Sequence, residues 1–143
     1  MTTRVNDELQ ADLQKAVAVL MQLMFRLMPL AMTRQLPEND WDAFRNTFEV
    51  AKARMDEAQG FMAASQAGKP FDPKAAVVSI LAFKGSLDEL HAALDRLLVL
   101  TKTSDQERAS VRELLVEKLG RTLDQHEEQY KRVLAATADK NPS

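Results

Sequence analysis

No cysteine occurs anywhere in the 143-residue chain. Disulfides, thiolate catalysis and cysteine-based metal sites are therefore excluded, and the composition fits a reducing compartment. Glycine is scarce, with four residues in all, and aromatic residues make up only 6%. Neither a glycine-rich phosphate loop nor an HExxH pair is present. Charge of one sign is missing too, since 19 basic and 21 acidic residues leave a net charge of −2. Without a basic field, non-specific binding of nucleic acid has no electrostatic support. No run of five or six like charges marks a solvated tail.

What remains is rich in Ala, Leu, Glu, Gln, Lys and Arg, the residues that favour helix over sheet. The length suits a single domain over residues 1–143, large enough to bury a self-sufficient core.

The most apolar stretch is Ala16–Met32, in which only Gln22 and Arg26 are strongly polar. On a helix it carries two stripes. One is Leu9, Leu13, Ala16, Leu20, Leu23, Leu27 and Leu30; the other is Met21, Met24, Met28 and Met32. A bundle core needs about three positions in seven apolar, and two adjacent stripes exceed that. The preceding residues hold Asp7, Glu8 and Asp12 against Arg4 and Lys15, unlike the basic leader of an export signal. At about 17 residues, with Arg26 inside it, the stretch is marginal for a membrane span. It reads as a buried helix of a cytoplasmic protein with no membrane association.

Four helices are expected, over about 3–33, 38–67, 72–101 and 104–138, with 139–143 a frayed tail. Asp7 and Glu8 suit the first turns of helix 1, and Pro29 should kink that helix rather than end it. Helix 2 opens near Pro37 or Asn39. It carries the stripe Trp41, Phe44, Phe48, Ala51, Met55, Ala58 and Met62, and closes at Gly68. Helix 3 opens with Asp72 as N-cap and Pro73 as its first residue. Its stripe is Ala76, Ile80, Phe83, Leu87, Leu90, Leu94 and Leu97, widened by Val77, Leu81 and Leu98. Gly85 and nearby small residues suggest a close approach by a neighbouring backbone. Ser104-Asp105-Gln106-Glu107 reads as a capping box for helix 4. Short connections between long helices predict an all-α, up-down-up-down antiparallel four-helix bundle.

Chemistry-bearing constellations are few. His91 and His126 are the only histidines. A carboxylate-bridged di-metal bundle uses Glu-x-x-His on two helices. Here Asp88-x-x-His91 is a near match, while Leu123 occupies the corresponding place before His126. The expectation is no catalytic residue, no cofactor and no metal, and hence no enzyme. Phe83-Lys84-Gly85-Ser86 resembles the lysine-glycine-serine part of histidine phosphotransfer domains, which are also four-helix bundles. In that family the phosphorylated histidine lies three residues before the lysine. Leu81 stands there in this chain, so the resemblance implies at most a degenerate signalling module that cannot carry phosphate.

The function expected is protein–protein interaction through the surplus apolar face of helix 1. The residues are Met21, Met24, Phe25, Met28 and Met32, with Arg26 at the rim. The occupant is a second copy, giving a homodimer, or one dedicated protein partner, as for an immunity or regulatory protein. The alternative is a small-molecule sensor with an apolar pocket between Pro29 and Trp41.

Overall fold

A computed structural model describes the backbone of residues 2–140 and the side-chain surroundings of residues 7–136. Four long helices account for nearly all of it, and no strand occurs among the described residues. The first three are α1 (Thr2–Met32), α2 (Glu38–Gln66) and α3 (Pro73–Leu100). The fourth is built in three spans: α4 (Asp105–Arg112), a π-helical segment (Glu113–Lys118) and α5 (Leu119–Lys140). Part of the tail expected to fray, residues 141–143, lies outside the described residues.

Side-chain pairs fix the relative directions of the helices. Along α1, Asp12 meets Lys118 and Thr122, whereas Arg26 meets Glu107. Along α3, Lys84 meets Asp124 and Asp95 meets Arg108. In both cases a rising number on one helix meets a falling number on the fourth, so α1 and α3 each run antiparallel to it. The most extensive packing joins α2 to α3, and α1 leans on the fourth helix and only lightly on α2. One flank of α1 is therefore left uncovered.

The core follows the apolar periodicity closely. All seven expected positions of α3 are buried, and Leu98 joins them. Leu81 does not; it is exposed, so it does not widen that stripe. On α2, Phe44, Ala51 and Met62 are buried, and the other positions of the stripe are half-buried against the same core. The leucine stripe of α1 is buried from Leu9 to Leu27, with Leu30 half-buried.

Helix ends follow local chemistry. Asp72 caps α3 by accepting from the amide of Lys74 at 3.0 Å, with Pro73 directly behind it. Pro37 occupies the N-cap position of α2. The amides of Gly68 and Lys69 bond the carbonyls of Ser65 and Ala64, a Schellman closure with Gly68 at φ 68°. The same pair of bonds closes α1 at Arg34 (φ 60°) and α3 at Lys102 (φ 59°), where no glycine is present. Because α1 begins at Thr2, Asp7 and Glu8 fall in its second turn rather than its first. The helix runs on through Pro29 to Met32.

Three expectations need correction. Gly85 is not a close-approach site: it is exposed, and a Cβ built there meets nothing within 4 Å. Ser104 accepts from the Glu107 amide at 3.2 Å, but the Glu107 carboxylate does not complete a capping box. It reaches across to Arg26 instead. The fourth helix is also not uniformly α. Val111, Leu115, Leu119 and Leu123 are spaced by four, and each such step overshoots a full α-turn by about 40°. The wider turns of the π segment absorb that drift, so all four residues stay buried.

Candidate functional site

The surface of α1 divides into three sectors. The leucine stripe faces the core. A second sector faces the fourth helix. There Asp12 is buried at 6% exposure. Thr122 Oγ1 lies 2.6 Å from Asp12 Oδ2 and 3.1 Å from the Lys118 carbonyl. With one proton to give, the hydroxyl donates to the charged acceptor. Lys118 Nζ stands 3.6 Å from the other carboxylate oxygen. The third sector faces solvent and is apolar.

That outer sector holds Val17, Met21, Phe25, Met28 and Met32, all exposed. Phe25 is 68% exposed and Met32 77%. At about 100° per residue the five side chains fall within roughly 80° of the helix circumference, a single ridge. The reading of Ala16–Met32 as a buried helix is thus corrected: the leucine stripe is covered and the methionine stripe is not. Met24 is the exception, half-buried and packed against the core between the two sectors. Val17 belongs to the ridge and was legible only as part of the general apolar run. By length and composition Asp7–Met32 is also apolar enough to cross a membrane, its most apolar 18 residues having a mean hydropathy of 1.4.

Arg26 lies at the far rim, where its Nη1 donates to Glu107 Oε1 at 2.7 Å. Both side chains are nearly half exposed, so the pair contributes at most about 1 kcal/mol. Its effect is to hold the Arg26 charge away from the ridge and against α4.

The hollow at the α1–α2 connection is lined by Ala31, Met32, Arg34, Leu36, Glu38, Trp41 and Asp42. Trp41 is in it, Pro29 is not, and three of its seven residues are charged. A second space, just large enough for one water, lies inside the bundle between Leu13, Met55, Met62, His126 and Tyr130.

Other titratable groups tie the helices together. Arg108 donates from Nε and Nη2 to the two carboxylate oxygens of Asp95 at 2.9 and 2.8 Å, clamping the α3–α4 turn. That hydrogen bonding holds the Asp95 carboxyl below its ordinary value. His91 beside it is half-buried, and burial pushes its imidazole below its ordinary value. His126 is buried at 2% exposure with its ring edge-on to Tyr130, and burial raises the Tyr130 phenol. Among the described residues, no three His, Cys, Asp or Glu side chains are placed to share one metal ion. At the phosphotransfer-like stretch, Leu81 is exposed, Lys84 is paired with Asp124, and Gly85 opens to solvent.

Searches against protein-family models, curated proteins and solved structures match none of them to this chain.

Proposed function

We propose that this protein acts by binding protein, not by catalysis, and that the exposed ridge of α1 is its binding surface. The observation that carries the reading is the ridge itself. Five large apolar side chains, uninterrupted by charge, line one face of a helix whose opposite face is already committed to the core. Monomeric proteins rarely leave such a contiguous patch to water, and patches of this kind mark interaction sites. Methionine and phenylalanine are enriched in the cores of interfaces, where charged residues are depleted. The flexible thioether also adapts to a partner's relief.

A protein partner fits better than a lipid bilayer around α1. Spanning would carry Asp12 into hydrocarbon and break its bond to Thr122, at a cost of several kcal/mol. A cytoplasmic location agrees with the absence of cysteine.

The test is site-specific photocrosslinking in the native cell. A benzophenone amino acid in place of Phe25 should yield a protein adduct. The same group in place of Val78, an exposed apolar residue on α3, should not. Equal adducts at both positions, or none at 25, would overturn the reading.

A further inference from the structure

The occupant of the ridge follows from its spacing. The five exposed ridge residues and the half-buried Met24 at their edge run Val17, Met21, Met24, Phe25, Met28 and Met32, separated by four, three, one, three and four. That order reads the same in both directions about a midpoint between Met24 and Phe25. A two-fold interface presents the same patch from both subunits, so residue i meets j while j meets i. An antiparallel pairing of two α1 helices about that midpoint sets Val17 against Met32 of a second copy. It likewise sets Met21 against Met28, and Met24 against Phe25. Every exposed apolar residue of the ridge then finds an apolar partner, Phe25 meeting the half-buried Met24. We infer that a second copy of this chain covers the ridge, as an antiparallel homodimer centred between Met24 and Phe25. This rests on the reading of the ridge as a protein-binding surface and names its partner.

Charge and area agree with self-association. Like charges juxtaposed across a two-fold axis would oppose it, but no ridge position is charged. The flanking Gln14, Ala18, Gln22 and Pro29 are neutral and exposed. Lys15 and Arg26 lie just beyond that flank, next to Gln22, and Arg26 is turned to Glu107. The five exposed ridge side chains present on the order of 500 Å² of apolar surface per copy. That is more than half of the roughly 800 Å² that each partner contributes to a standard interface, and the exposed neutral flanks adjoin it.

Because the chain has no cysteine of its own, single substitutions report the geometry directly. In the antiparallel pair, residue 25 lies next to its own copy across the axis. Residue 17 lies about 22 Å from its copy along the helix, far beyond disulfide reach. Full-length Phe25→Cys should oxidise to a disulfide-linked dimer. Val17→Cys alone and Met32→Cys alone should not, but a mixture of the two should form the mixed dimer. The unmodified chain should show twice its 16.0 kDa mass in sedimentation. Phe25→Glu should reduce that to one chain mass with helicity unchanged by circular dichroism.

Four results would overturn the dimer. A monomeric mass over the whole dilution series does so while sparing the parent reading, provided that the residue-25 crosslink in cells still captures a different protein. Self-crosslinking by Val17→Cys alone would mean a parallel pair. An unchanged mass for Phe25→Glu would place any dimer elsewhere. A monomer that cosediments with phosphatidylcholine–phosphatidylglycerol vesicles in a Phe25-dependent manner would assign the ridge to lipid and overturn both readings.

Discussion

Thr122 on α5 donates a 2.6 Å hydrogen bond to the carboxylate of Asp12 on α1, and both residues are buried. This is the buried polar tie between the helix that carries the ridge and the fourth helix. A hydrogen bond to a charged group contributes about 1.5–3 kcal/mol, and a buried carboxylate that loses its donor pays the full desolvation cost. Thr122→Val should therefore cost about 2 kcal/mol in urea unfolding. Adding Asp12→Leu should recover a large part, because an apolar pair leaves nothing unsatisfied. Lys118→Met should cost under about 1 kcal/mol, since Lys118 is 3.6 Å away and 42% exposed. Additive losses from Thr122→Val and Asp12→Leu would show that the two are not coupled.

Glycine substitutions should split by position. Gly60 and Gly85 lie inside α2 and α3, with open space where a Cβ would stand. Replacing either with Ala should stabilise by about 0.5–1 kcal/mol. Gly68→Ala should instead destabilise by about 1 kcal/mol, because the residue holds φ 68° at the end of α2. Thermal melts of the three variants check this; a gain at Gly68 would refute the closure described for α2.

The converse applies where a left-handed position lacks glycine. Lys102 at φ 59° carries a left-handed conformation that costs a side-chain-bearing residue about 1–2 kcal/mol. Lys102→Gly removes that strain and adds about 0.5–1 kcal/mol of chain entropy to overcome. A net gain under about 1 kcal/mol is expected, seen as a rise of about 3 °C or less in Tm. Arg34→Gly at the end of α1 should behave alike.

Acid should weaken the α3–α4 corner in two stages. Both His91 and Asp95 titrate below their ordinary values in the folded chain. Each therefore stabilises the fold above its unfolded value, and that contribution is lost as pH falls through the lower folded one. For His91, disfavoured as a cation by burial, the loss begins below its ordinary value of 6.5. For Asp95, held ionised by Arg108, it begins below 3.8. Urea midpoints measured from neutral pH downward should show both steps. His91→Gln should flatten the upper one and Asp95→Asn the lower one; an unchanged pH profile in either variant would remove that group from the account.

Much of the fold is legible because the helices are amphipathic and their caps are local. Asp72-Pro73 and Gly68 act within one turn of themselves, and the seam of α3 needs only its spacing of three and four. The π segment is less legible. Its one trace is the repeated step of four from Val111 to Leu123, which a regular α-helix could not keep on one face. Glu107 departs from its expected role for a tertiary reason: it stands at the cap position three residues after Ser104, and a charged partner on another helix, Arg26, outweighs that local bond.

The linear chain determined that this is a helical protein without cysteine chemistry and that its first helix bears more apolar surface than a core requires. Which of the two stripes on α1 is covered was decided only by tertiary packing. The helix rotates to bring its leucines and Asp12 to the fourth helix, because burying the branched side chains and pairing the carboxylate with Thr122 and Lys118 are satisfied by one orientation. The opposite orientation would bury the methionines and leave Asp12 without those partners. The ridge from Val17 to Met32 faces outward as a result.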